Sequence, residues 1–221
     1  LTTAGASAVA RPWVLLAAAL AVAALCTAAL GWAVPGARAV FDWQHALAWQ
    51  QPWRWWTAAV VHLGLLHLLA NVLGCGVLAF AGMSARLPRR AAIAWAMAWP
   101  LSHLALLASP GVQRYAGLSG VLHAGVAVLA VELIVARRGR DRRIGLALAA
   151  GLALKLLLEQ AWVTPVSLGG AWPFPVATFA HLTGVAAGAA CAALAIPWAA
   201  RSSIDEATLR PGPSPSERRQ P

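Results

Sequence analysis

Long apolar runs alternate with short polar connections along the chain. The runs cover residues 13–32, 58–82, 91–107, 116–136, 144–162 and 176–199. Each comes close to the roughly 20 apolar residues that a helix needs to cross a bilayer core. The connections carry breakers and charge. Arg86, Arg89 and Arg90 with Pro88 follow the second run, Ser109-Pro110-Gly111 closes the third, and Arg137, Arg138, Arg140, Arg142 and Arg143 follow the fourth. A Gly/Pro-rich stretch at 164–175 separates the fifth from the sixth. The pattern predicts an all-α polytopic membrane protein of six transmembrane helices. It divides the chain into an N-terminal segment 1–12, a membrane domain 13–200 and a polar, proline-rich, disordered tail 201–221. A cleaved signal peptide is the competing reading of the first run, but the run is long enough to span. The connection 35–57 is longer than a turn and holds Trp43, Trp49, Trp53, Trp55 and Trp56. Tryptophan favours the headgroup region, so this stretch is expected to lie in the interface as short amphipathic helices.

Composition agrees. Sixty per cent of the 221 residues are hydrophobic, 11% are charged and the mean hydropathy is +0.68. In a soluble protein the net charge of +10 would point to nucleic acid. Here the arginines sit in connections, where they set topology and meet anionic headgroups, and no nucleic-acid partner is expected. With six spans, 13 basic residues fall on one side and three (Arg38, Arg54, Arg114) on the other. The positive-inside rule then places both termini in the cytoplasm. Cys26, Cys75 and Cys191 lie inside apolar runs without metal-like spacing and read as small core residues.

Polar side chains inside the runs carry the chemistry. The second run has His62, His67 and Asn71, the fourth has Ser119 and His123, and the sixth has His181. In a six-span topology these three runs all start from the outer face. At about 1.5 Å rise per residue, His67, Ser119 and His181 lie roughly 5–14 Å below their outer starts. Unrelated structural polar groups have no reason to agree in depth. A serine hydroxyl needs a base to act as a nucleophile, and the imidazole of His181 suits that role. Glycines at 117 and 120 flank Ser119, while Gly184 and Gly188 make a small-residue face beside His181. Such faces let helices approach closely, and they are equally common as plain packing surfaces. His67 and Asn71, four apart, point the same way and with the Ser119 amide could form an oxyanion hole. Interhelical hydrogen bonding is the simpler reading of that pair. With no acidic residue near the outer ends of the second, fourth or sixth run, the expected arrangement is a Ser–His dyad without a third carboxylate.

These residues, in order, resemble the rhomboid family of intramembrane serine proteases: Trp53-Arg54, His62, His67-x-x-x-Asn71, Gly117-Leu-Ser119-Gly120, and Ala180-His181 with Gly184 and Gly188. The resemblance implies a rhomboid-like six-helix bundle with a water-filled cavity open to the outside. It implies Ser119 as nucleophile, His181 as general base, and His67, Asn71 and the Ser119 amide as oxyanion hole, with His62, Gly117, Gly120, His123, Gly184 and Gly188 in support. Neither cofactor nor metal is expected. Partners would be membrane lipids and single-span membrane protein substrates, reaching the site laterally near the second and fifth spans, with 164–175 as its cap. The expected location is a bacterial inner membrane, with the active site toward the periplasmic side. His123 stands four residues after the serine, where many rhomboids carry an aromatic residue. In this the chain is similar to the rhombosortase branch, associated with proteins bearing a C-terminal Gly-Gly-type sorting signal.

Lys155 and Glu159 read as a self-neutralising pair on the fifth span, with substrate gating as the sharper alternative. Glu132 is expected to pair with the arginines near its end of the fourth span. His45 and His103 receive no catalytic role. A transporter is the main rival function, against which stand the missing inverted repeat and the off-centre depth of the polar cluster. A non-enzymatic binding module is the other rival, and the presence of both Ser119 and His181 argues against it. A metalloprotease would need His-Glu-x-x-His, which the sequence lacks.

Overall fold

The structure, a computed structural model, describes residues 3–168 and 173–196, with side chains from Val9 onward. Six long helices make up the bundle: α1 (Thr3–Ala33), α4 (Leu65–Ser84), α5 (Arg89–Leu104), α6 (Ser119–Ala136), α7 (Gly139–Glu159) and α8 (Thr178–Ala195). Between α1 and α4 lie the short helices α2 (Ala37–Phe41) and α3 (Arg54–Thr57). Among the described residues, five of the six long helices are long and apolar enough to cross a membrane. The sixth, α7, is of similar length, but its first turns carry Arg140, Asp141, Arg142 and Arg143 and its end carries Lys155 and Glu159. It packs with the others all the same, against α6 and α8.

Two apolar clusters hold the fold. The larger joins α1, α4, α5, α6 and α8 through Trp13, Leu20, Leu78, Trp95, Leu118, Val121, Val128, Leu133 and Ala192. Trp13 anchors α1: its ring lies 4.5 Å from that of Trp95, its Nε1–H donates to Leu78 O at 2.7 Å, and it fills the space left by the missing side chain of Gly82. Large apolar side chains also point outward, among them Leu66, Leu73, Phe80, Leu158 and Leu194. Water would not tolerate so broad an apolar exterior, whereas lipid matches it. At the opposite end Glu132, which is 2% exposed, pairs with Arg90 at the start of α5 rather than with the arginines that follow α6.

The smaller cluster lies under the long connection and contains Trp43, Ala48, Ala58, Leu106, Val112 and Tyr115. Here the structure departs from an interfacial helical loop. A two-residue strand β1 (Trp43–Gln44) pairs antiparallel with β2 (Arg114–Tyr115), Trp43 opposite Tyr115. Trp43 is therefore a core residue rather than a headgroup anchor; Trp49, Trp53 and Trp56 remain exposed. Asp42 knits the connection together. It takes Arg54 on one carboxylate oxygen at 3.1 Å and Arg114 on the other at 2.5 Å. Arg54 is buried and donates further to Ala39 O and Gln51 Oε1, so its charge is matched on every side. Cys75 is buried as expected, but Cys26 faces outward on α1, because its position falls on the side of that helix with no neighbour. The tail 201–221 and the middle of the expected cap, residues 169–172, lie outside the described residues.

Candidate active site

The site forms where the start of α6 meets α8. The segment before α6 turns sharply at Gly117, whose φ of 127° suits glycine alone. A Cβ there would also lie 2.6 Å from His67 Cε1. The turn is pinned by Gly117 N–H to Ala58 O at 2.9 Å and by the Tyr115 hydroxyl, which donates to Gly117 O at 2.5 Å and accepts from Gly120 N–H at 3.2 Å. Burial pushes the Tyr115 phenol up to about 12, so this hydroxyl keeps its proton. Ser119 thus becomes the first residue of α6 rather than lying inside the span that the hydropathy pattern predicts from residue 116. At a helix start its backbone N–H has no partner within the helix.

Glycines bring α8 against this turn. Cβ atoms added at Gly184 and Gly188 would collide with the carbonyl oxygens of Gly120 and Ala124, and one added at Gly120 would lie 2.8 Å from Ala180 O. The two backbones touch, and His181, one turn before Gly184, reaches across. Its Nε2 is 3.1 Å from Ser119 Oγ. His123, one turn into α6, donates Nδ1–H to Ser119 O at 2.6 Å and stacks on His181 with ring centroids 4.2 Å apart. On α4, His67 stands against Gly117 and 5.1 Å from the ring of Phe174. Asn71 Nδ2 donates to His62 Nε2 at 3.1 Å, while His62 Nδ1–H donates to Val60 O at 3.1 Å. That second bond fixes which nitrogen of His62 accepts, and so fixes the amide of Asn71. His62 precedes α4 instead of lying in it.

Ser119, His181, His123, His67 and Asn71 line one cavity of about 470 Å³, together with Tyr115, Lys155, Glu159 and Phe174. It therefore gathers residues from α4, α6, α7 and α8 at one end of the bundle. A family model for the Rhomboid domain matches residues 49–198. The chain belongs to the rhomboid family. No curated protein matches it. Family membership makes the chain a rhomboid-type intramembrane protease in general terms, a hydrolase built as a membrane helix bundle.

In this rhomboid a carboxylate stands beside His181, where a Ser–His pair without one is expected; α7 supplies it, not the second, fourth or sixth span. Glu159, the last residue of α7, places Oε2 2.8 Å from His181 Nδ1. Its other oxygen takes Lys155 Nζ at 2.6 Å, so the expected pair exists but is only half of what Glu159 does. Tyr115 and Phe174 also escape the sequence reading. Tyr115 is the chain's single tyrosine, the one available signal; Phe174 gives none. His103 donates Nδ1–H to Trp55 O at 2.6 Å and serves as an anchor for the loop.

Proposed function

We propose that this rhomboid cleaves single-span membrane proteins by a serine mechanism, with Ser119 as nucleophile and His181 as general base. The observation that carries the reading is the 3.1 Å approach of His181 Nε2 to Ser119 Oγ inside the cavity. In the acylation step Oγ bonds to the scissile carbonyl carbon while its proton moves to Nε2. The carbonyl π pair moves onto oxygen. The Ser119 N–H, Asn71 and His67, whose residues line the same cavity, would receive that oxyanion, and the start of α6 would add its positive end. As the C–N bond breaks, Nε2 returns the proton to the leaving amine, and water then releases the acyl group by the same route.

The substrate proposed is a protein with a C-terminal Gly-Gly-type sorting signal: a glycine-rich motif, an apolar helix and a basic end. His123 supports this rhombosortase-like reading, since it sits four residues after Ser119 and stacks on His181 where many rhomboids hold another aromatic ring. The same proposal takes 13–200 as the protease domain, with 1–12 and 201–221 as cytoplasmic segments. It puts the protein in a bacterial inner membrane, both termini cytoplasmic and the cavity toward the periplasm, as the arginine distribution favours.

The test is co-expression with a reporter ending in such a signal, comparing wild type with Ser119→Ala and His181→Ala. Cleavage by wild type alone supports the full reading. Cleavage of an ordinary single-span substrate but not of this reporter keeps the protease and removes the subtype. Absence of both, with no fluorophosphonate labelling of Ser119 in folded protein, overturns the enzyme in favour of a transporter or binding module.

A further inference from the structure

We infer that Glu159 is a positioning residue for His181, converting the Ser–His pair into a Ser–His–carboxylate relay in which Lys155 holds the carboxylate. The inference rests on the serine-protease reading above. Its basis is a chain of contacts: Lys155 Nζ to Glu159 Oε1 at 2.6 Å, Glu159 Oε2 to His181 Nδ1 at 2.8 Å, and His181 Nε2 to Ser119 Oγ at 3.1 Å. A carboxylate on Nδ1 holds the hydrogen there. Nε2 is then left as the acceptor facing the serine hydroxyl, the arrangement a general base needs. When Nε2 takes the serine proton, the imidazolium that forms lies against the negative charge of Glu159, which itself keeps its charge throughout.

The position of Glu159 is otherwise hard to explain. A negative charge in the last turn of a helix opposes the helix dipole, and Lys155 before Glu159 is the weaker order for a pair four residues apart. Both choices work against α7 as a helix. They make sense if the carboxylate is there for α8. The chain beyond it is tied down to match: Gln160 takes a left-handed conformation (φ 48°), ending α7 at this point, and Thr178 Oγ1 donates to Thr164 O at 2.6 Å. The end of α7 is thereby fastened to the start of α8, three residues before His181. The other titratable groups at the site are His123, stacked on His181, and His67 and Tyr115 across the cavity. Glu159 is the single carboxylate among the described residues lining it.

The experiment uses full-length protein in detergent micelles with a single-span reporter, measuring kcat and KM separately for wild type, Glu159→Gln and Glu159→Asp. Removing the carboxylate lowers kcat, because the imidazolium that forms on His181 loses its stabilisation. The expected result for Glu159→Gln is a loss in kcat of about 100-fold or more, with KM within about threefold. Glu159→Asp restores part of the rate, which a merely structural loss would not allow. A Glu159→Gln enzyme with unchanged kcat overturns the inference. Should that variant not fold, nitrogen-15 NMR of histidine in wild type decides, with the His181 signal identified by its loss in His181→Ala. A proton on Nδ1 at neutral pH supports the relay, and a proton on Nε2 alone overturns it. Cleavage surviving in Ser119→Ala or His181→Ala would instead remove the underlying protease reading, so the two failures are distinguishable.

Discussion

Single atoms decide the distance between the proposed nucleophile and base. Gly184 and Gly188 lack the one carbon that would strike backbone oxygen on α6, and backbone oxygen has nowhere to go. Gly184→Ala is therefore expected to lower thermal stability in detergent by about 1–3 kcal/mol and to reduce cleavage by drawing His181 away from Ser119. Gly151→Ala, where nothing lies within 4 Å of the added carbon, should leave activity intact and stability equal or slightly higher. Paired melting curves and reporter cleavage check both. The same scale shows what was legible in the sequence. Ser119, His67, Asn71 and His181 stand out because polar groups are costly in apolar runs and therefore rare there. Glu159 stands out too, yet its tie to His181 depends on where α7 stops relative to α8. Spacing within one helix expresses the Lys155–Glu159 pair but not a contact between two helices.

At the scale of elements, each apolar run marks one of the six long helices, since hydropathy reports burial in lipid directly, but the starts of α1, α4 and α7 lie about five to ten residues from those of their runs. The long connection is where that signal fails. Its tryptophans look alike in the sequence, but Trp43 goes into a core because β1 pairs with the distant β2, whereas Trp53 lies outside that ladder and stays exposed. Charge stabilises this piece more than periodicity does. Asp42 and Arg54 are both buried, and removing one partner leaves the other uncompensated. Asp42→Ala is expected to cost about 3 kcal/mol, at the low end for a buried pair because Arg54 keeps its carbonyl and Gln51 partners. Limited proteolysis of the connection, faster in the variant at equal temperature, measures it.

On the scale of the whole molecule, the bundle is wide and apolar around a small polar cavity, the reverse of a soluble enzyme. The chemistry is gathered at one end, where α6 starts and α7 stops. The short ladder between β1 and β2 has a mechanical meaning in that setting. Trp49, Trp53 and Trp56 expose their rings on the connection that carries β1, and such rings settle at the height of the lipid headgroups. The ladder joins that connection to Tyr115, and the Tyr115 hydroxyl grips the turn on which Ser119 rides. Headgroup height is therefore expected to reach Ser119, the proposed nucleophile, through two strand residues and one phenol. A thinner bilayer would pull on that linkage and a thicker one would press on it. In vesicles of graded acyl-chain length, cleavage should peak at one thickness and fall on either side, and Trp43→Ala, which slackens the linkage, should flatten the peak.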